Sequence, residues 1–397
     1  METFFASCPR GLEGLLVEEL TAAGASSIRA APGGVGFSGD WPLCWRMNLE
    51  SRIATRILWR LQESVYHAEE DIYRAALALA WEKHFDLSRT FRVETTAIRA
   101  PLKSLDFVTL RIKDAVCDRF RARLGERPSI DTHAPEVRIH AFLTQQHCTL
   151  YLDTSGAPLW QRGLRHANVD APLKENLAAG ILKLSGWRPG IPLLDPMCGS
   201  GTFALEAAAM TLGRPPGLER VRFGFEALNG FVPERWQALR NAALANIREA
   251  AGPPCIFASD IDMRAVRATR RNLEDAGLDH LVRVERRDIL ACRPPEPAVP
   301  GSVPDSVPTG ILVANPPYGE RIGDLNHLAE LYPALGSTLK RHFAGWTACF
   351  LTADTRFPKL LRLSPKRRTP LFNGALECRL YEIRMVAGSC RRQSPTR

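Results

Sequence analysis

The chain has 397 residues, more than one ordinary domain holds, so two or three domains are expected. Hydrophobic residues make up 45% and charged residues 24%, the mix of a soluble globular protein. The formal net charge of +9 agrees with a polyanionic partner without proving one, since a basic protein with an ordinary solvated surface has the same balance. No run approaches the roughly 20 uncharged apolar residues that span a bilayer, so no membrane association is expected. The opening Met1-Glu2-Thr3-Phe4-Phe5 has neither a basic n-region nor a long apolar stretch. No secretory signal is therefore expected, and the cytoplasm is the default compartment. Ten cysteines are scattered without a Cys-x-x-Cys pair. That gives a zinc site no ligand spacing, no metal is expected, and the thiols read as small buried groups kept reduced.

The first segment, 1–65, mixes short strand and helix patterns. Residues 3–7 read as a strand, and 11–23 carry Leu12, Leu15, Leu16 and Leu20 at helical spacing, stopped by Gly24. Gly33-Gly34 makes a turn between two short strands, and 57–62 could close the sheet. This predicts a small α+β unit with ferredoxin-like connectivity. In the second segment, 66–158, residues 72–81 read as a helix and the β-branched run 90–98 as a strand. A helix over 107–124 follows, with Arg111, Lys113, Arg119, Arg121 and Arg123 on it and Arg127 just beyond. These cations suit an RNA backbone. They equally suit a solvated helix face paired with Asp114, Asp118 and Glu126. Two further strands fit 137–143 and 149–152.

The third segment, 159–387, alternates strand and helix, which implies a parallel sheet with helices on both faces. Strands are expected at 193–195, 255–259, 282–286, 310–314 and 347–351, with helices at 202–210, 264–276 and 325–342. Residues 294–308 read as a proline-rich surface loop, 377–385 as a terminal antiparallel strand, and 388–397 as a disordered tail.

Four stretches in this segment carry chemistry. Asp195-Pro196-Met197-Cys198-Gly199-Ser200-Gly201-Thr202 lies where a strand gives way to a helix. Its glycines permit a sharp turn and close approach to a ligand, and the helix start offers free N–H groups. It has neither the Gly-x-Gly-x-x-Gly spacing of dinucleotide binders nor the Gly-Lys-Ser/Thr ending of a P-loop. In Ala258-Ser259-Asp260-Ile261-Asp262, an acid at a strand end can accept hydrogen bonds from both hydroxyls of a ribose. A helix N-cap is the competing role, and Asp262 suits it better, leaving Asp260 for the ribose. Asp288, in Arg287-Asp288-Ile289, can accept from an adenine amino group or serve as an ordinary loop aspartate.

Asn315-Pro316-Pro317-Tyr318-Gly319-Glu320-Arg321 is the most informative stretch. Consecutive prolines fix the backbone and remove two N–H donors. The Asn315 side-chain oxygen and the Pro316 carbonyl then form paired acceptors for the two hydrogens of a planar –NH2 group. Such acceptors favour a more tetrahedral nitrogen, whose lone pair can aim at a sulfonium methyl. Tyr318 offers a face for a flipped base. A proline-rich turn at a strand end explains the prolines but not the flanking Asn and Tyr.

Together these motifs resemble the Rossmann-type amino-methyltransferases, and 315–321 with 195–202 resemble the THUMP-domain RNA methyltransferases that form N2-methylguanine. The stretch 4–13, Phe-Phe-Ala-Ser-Cys-Pro-Arg-Gly-Leu-Glu, is similar to the opening of the 23S ribosomal RNA guanine-N2 methyltransferases. So are 113–116, 127–131, 161–165, 171–176 and 373–377, and the resemblance covers nearly the whole chain. It implies a Rossmann-type seven-stranded methyltransferase domain behind ferredoxin-like and THUMP domains. S-adenosylmethionine is the implied cofactor. Asp195, Pro196, Cys198, Gly199, Ser200, Gly201, Thr202, Asp260, Ile261, Asp288 and Asn315 would hold it, and 162–173 would close over it. Asn315, Pro316, Pro317 and Tyr318 would act on the base.

The implied substrate is large-subunit ribosomal RNA, naked or early in assembly, methylated by direct transfer without a covalent intermediate. Two departures stand out. Leu164 occupies a position where Tyr is common, and some members carry a second methyltransferase domain, which a chain ending at 397 is expected to lack. Transfer RNA guanine-N2, DNA adenine-N6 and a catalytically silent RNA-binding assembly protein are the competing expectations.

Overall fold

In the computed structural model the described residues are 1–163, 173–249, 252–295, 310–316 and 322–386. The expectations for 164–172, 317–321, the tail and most of the proline-rich loop therefore lie outside the described residues. The chain divides into two compact units. One holds Met1–Cys8, Glu13–Gln161 and Pro215–Ala245; the other holds Pro9–Leu12, Arg162–Arg214 and Asn246–Arg397.

The first unit begins with β1 (Glu2–Ser7), α1 (Glu13–Ala23), β2 (Ser26–Ala31), β3 (Gly34–Gly39), α2 (Trp41–Glu50) and β4 (Arg56–Val65). It continues with α3 (Glu69–Ala78), β5 (Phe91–Ala97), α4 (Leu105–Leu124), β6 (Val137–Leu143) and β7 (His147–Asp153). Within α1, Leu16 and Leu20 are fully buried and Leu15 is half-buried, the face that the helical period of that stretch marks. α4 starts at Ser104, whose side chain accepts the Phe107 N–H, and stops at Gly125 in the left-handed region.

All seven strands join one sheet in the order β2-β3-β1-β4-β7-β6-β5. β4 does not close a small sheet at its edge. It lies in the middle, pairing Phe4 with Trp59 on one side and Leu58 with Asp153 on the other. The first two sequence segments thus share a continuous hydrogen-bonded ladder. The core under the second segment is built on buried Trp81, Phe85, Phe91 and Phe120.

The second unit opens with α5 (Glu175–Leu184), β8 (Leu193–Asp195) and α6 (Thr202–Thr211). The chain then leaves it. Pro215–Ala245, with α7 (Pro233–Ala245), packs into the first unit, where Phe225 meets Trp236 edge-on with ring centroids 5.0 Å apart and Trp45 at 5.9 Å. The second unit resumes with β9 (Ile256–Asp260), α8 (Met263–Asp275), β10 (Val282–Arg286), β11 (Ile311–Ala314) and α9 (Ile322–His342). It ends with β12 (Thr347–Thr352), α10 (Phe357–Leu361), β13 (Arg367–Asn373) and β14 (Leu376–Arg384).

Its sheet runs β10-β9-β8-β11-β12-β14-β13. The first five are parallel and the terminal hairpin is antiparallel. This is the doubly wound arrangement expected from the sequence. β11 (Ile-Leu-Val-Ala) is all apolar and β12 is buried along its whole length, as in strands of a sheet covered on both faces. Among the described residues no helix is long and apolar enough to cross a membrane.

Candidate active site

In an open parallel sheet, ligands bind beyond the carboxyl ends of the strands, at the point where strand order reverses. Here that point lies between β8 and β11, which pair Ile311 with Leu193 and Leu312 with Leu194. Asp195 ends β8, Asp260 ends β9, Asp288 follows β10, and Asn315 follows β11. Four residues singled out from separate motifs therefore stand along one edge of four adjacent strands.

The loop after β8 is tightly tied. The Asp195 carboxylate accepts the Met197 N–H at 3.2 Å, the Cys198 N–H reaches the Ser259 carbonyl at 3.0 Å, and the Gly201 N–H reaches the Cys198 carbonyl at 2.7 Å. Gly199 and Gly201 hold φ of 54° and 84°, in the left-handed region that favours glycine. A Cβ at Gly201 would also lie 2.7 Å from the Thr269 methyl. α6 begins at Thr202, with Gly201 as its cap, so its first N–H groups open beside this loop. Pro196, Ser200, Gly201 and Thr202 are buried and form the wall of the turn.

Asp260 holds the loop from the neighbouring strand. Its two oxygens accept the Gly199 N–H at 3.1 Å and the Asp262 N–H at 2.9 Å. A carboxylate has about four acceptor sites, so two remain for a ligand. Asp262 is the N-cap of α8 and accepts the Arg264 N–H at 2.8 Å, the division of roles expected for the pair. Ile261 is 60% exposed, an apolar surface next to a charged acceptor. Asp288 caps a short 3-10 turn by accepting the Leu290 N–H at 2.9 Å.

Asp195 is 2% exposed. Burial pushes its carboxyl up to about 8; the charge of Asp260 adds to this and the Met197 N–H opposes it. Burial likewise pushes the Cys198 thiol well above its ordinary range, leaving no thiolate there. Asn315 is half-buried and Pro316 buried, while Pro317 and Tyr318 lie outside the described residues. Among the described residues no group of His, Cys, Asp or Glu is arranged to hold a metal.

Several supporting residues lie outside the four motifs. Thr269 and Asn272 bond to the loop from α8, and Arg162 forms an ion pair with Glu206 of α6 at 3.0 Å, both side chains nearly fully buried. Only the i, i+3 placement of Thr269 and Asn272 at polar positions on an otherwise apolar helix face marked them.

The basic residues of the first unit have mixed surroundings. Arg119 makes two hydrogen bonds to Glu82, at 3.0 and 2.7 Å. Arg111 pairs with Glu70 at 2.5 Å and stacks its guanidinium 4.1 Å above the Tyr73 ring. Lys113 pairs with Asp114 at 2.7 Å and Arg121 with Asp118 at 2.9 Å. Arg123 and Arg127 are exposed.

The strand order, the glycine turn into α6 and the Asn-Pro pair after β11 define a methyltransferase domain of the Rossmann class. Residues 162–382 match the family described as RMKL-like, methyltransferase domain. Residues 66–153 match the THUMP domain and 3–58 the RlmL ferredoxin-like domain. The chain belongs to the RMKL-like methyltransferase family.

It is 39% identical over 398 residues to the ribosomal RNA large subunit methyltransferase K/L of Aeromonas salmonicida, covering 98% of this chain and 55% of that protein. Against the protein of that name from Syntrophotalea carbinolica the identity is 40% over 387 residues, covering 96% and 53%. The chain thus spans about half the length of the curated relatives it matches. The solved structure of SMU.472 complexed with SAH superposes with a TM-score of 0.84 at 28% identity, covering 98% of this chain and 99% of that one.

Proposed function

We propose that the chain transfers a methyl group from S-adenosylmethionine to the exocyclic N2 of a guanine in 23S ribosomal RNA. The observation that carries this is the alignment of Asp195, Asp260, Asp288 and Asn315 on one edge of four adjacent parallel strands. The loop 196–201 and the start of α6 would seat the methionine part. Asp260 would accept from the ribose hydroxyls, with Ile261 covering one face of the adenine and Asp288 accepting from its amino group. The glycine at 201 fits this role, since a side chain there meets Thr269. S-adenosylmethionine supplies an activated methyl on a positively charged sulfur.

The remaining work falls to Asn315 and Pro316, whose oxygens accept the two amino hydrogens of the base and orient its lone pair. Orientation and acceptor placement supply the rate enhancement, and Tyr318 stacks on the base. The Cys198 thiol is held protonated, which favours direct transfer over a covalent route. The amine proton departs to water after transfer, so no general base is assigned.

The substrate assignment draws on the names of the relatives and on the THUMP match. The RNA would be met in the cytoplasm, naked or early in assembly. The protein is to be incubated with protein-free 23S ribosomal RNA and labelled cofactor, and the product mapped by mass spectrometry. One N2-methylguanine is expected. Methylation of adenine N6 in DNA, or of transfer RNA alone, would replace the substrate and keep the chemistry. No transfer to any nucleic acid would leave an RNA-binding protein with a silent domain.

A further inference from the structure

The cofactor loop depends on a helix that carries none of the recognised motifs. α8 presents two fully buried polar side chains, Thr269 and Asn272, on the same face. The Thr269 hydroxyl donates to the Gly199 carbonyl at 2.9 Å, and the Asn272 amide donates to the Ser200 carbonyl at 3.0 Å. Two successive carbonyls of the glycine turn are thus pulled toward α8. The Thr269 methyl fills the space a side chain at Gly201 would take, and its hydroxyl lies 3.5 Å from the Cys198 sulfur.

The hold on the Gly199 carbonyl turns the Ser200 N–H away from α8, while the Gly201 N–H is held by the Cys198 carbonyl at 2.7 Å. The same helix is set in place by Asp262, two residues past Asp260. One rigid element therefore fixes the glycine loop and follows directly on the acceptor for the ribose.

We propose that Thr269 and Asn272 are positioning residues for cofactor binding. They clamp the loop 199–201 in its ligand-ready shape before any ligand arrives. The proposal rests on the assignment of this loop to S-adenosylmethionine. The alternative is that both residues merely satisfy a buried helix–loop contact. The two differ because pre-organisation acts on affinity, whereas a packing role acts on the stability of the fold alone.

The test uses S-adenosylhomocysteine as probe, calorimetry on the full chain, and a melting curve for each variant. Thr269→Val keeps the shape and removes the donor, while Thr269→Ser keeps the donor. The expected result is a 5- to 10-fold weaker Kd, on the order of one lost hydrogen bond, for Thr269→Val. Thr269→Ser should stay within about 2-fold, since its donor is retained. Asn272→Asp, which turns an oxygen toward the Ser200 carbonyl, should weaken binding at least as much as Thr269→Val. In turnover assays KM for S-adenosylmethionine should rise while kcat at saturation is kept.

Thr269→Val binding as tightly as the parent overturns the clamp. So does a Thr269→Ser variant weakened as much as Thr269→Val, or a fall in melting temperature with affinity intact. If Thr269→Val does not fold, Asn272→Asp decides by the same criteria. A parent protein that takes up no S-adenosylhomocysteine overturns the cofactor assignment itself, and the clamp with it.

Discussion

Asp260 accepts the backbone N–H of Gly199 at 3.1 Å, binding the end of one strand to the turn that follows its neighbour. The carboxylate is then both a loop anchor and the proposed ribose acceptor. Asp260→Ala should lose affinity for S-adenosylmethionine by roughly 1.5–3 kcal/mol, the scale of charge-assisted hydrogen bonds, and should also melt earlier. Calorimetry showing parental affinity in this variant would remove Asp260 from the ribose role.

Asn315 follows β11, the strand paired with β8, and is the proposed acceptor for the base rather than for the cofactor. Asn315→Ala should cut turnover by about 100-fold or more while cofactor affinity changes little, as for a lost transition-state partner. Parental turnover would sink the amino-group mechanism. Tyr318→Ala should be damaging and Tyr318→Phe mild, because stacking needs the ring and not the hydroxyl.

Burial pushes the Asp195 carboxyl up to about 8 from an ordinary 3.8. The folded state therefore holds an extra proton between those values, and stability contributed by this group falls as pH rises through that window. Asp195→Asn should flatten the fall, so the difference in melting temperature between variant and parent should grow in favour of the variant toward pH 8. The cationic cofactor favours the ionised carboxylate, so parental affinity should strengthen with pH over the upper part of the same window. Identical pH profiles for variant and parent would show that Asp195 is not the group responsible.

The basic helix separates into two sets with different expected phenotypes. Arg119 is bonded twice to Glu82, so Arg119→Ala should lower the melting temperature as well as any RNA affinity it supplies. Arg123 and Arg127 are exposed, so replacing both with Ala should weaken RNA binding without a thermal effect. The slope of log affinity against log salt should flatten by roughly 0.7–0.9 for each phosphate that is no longer neutralised. Filter binding at several salt concentrations, run beside a melting curve, checks both; an unchanged salt slope would remove these two arginines from the RNA face.

The site-bearing sheet was legible because its strands are short apolar runs ending in marked residues: Asp195, Asp260 and Asn315. Elements without a clean period were not. α2 buries Leu43, Cys44, Trp45, Met47, Asn48 and Leu49, nearly every side, so no amphipathic stripe marks it. α7 buries only Trp236 and Ala243, too few to set a pattern, and β13 contains Pro370 among polar residues. The central place of β4 depends on partners as far away as Asp153, which no local pattern encodes. For the same reason the clamp on the glycine turn was invisible, since Thr269 and Asn272 touch residues about seventy positions earlier.

The excursion of Pro215–Ala245 into the first unit has a consequence for how the protein is made. Synthesis runs from the N-terminus, so the strands of the first sheet are complete once Asp153 has emerged. Its aromatic cluster still lacks Phe225 and Trp236 at that moment. Those residues arrive only after β8 and α6, which belong to the other unit, have been extruded. Until then Trp45 lacks its Phe225 and Phe231 neighbours, while the loop after β8 has already been synthesised. Completion of the first unit is therefore expected to be interleaved with synthesis of the second, and a chain stalled before Phe225 is expected to leave Trp45 without its aromatic neighbours.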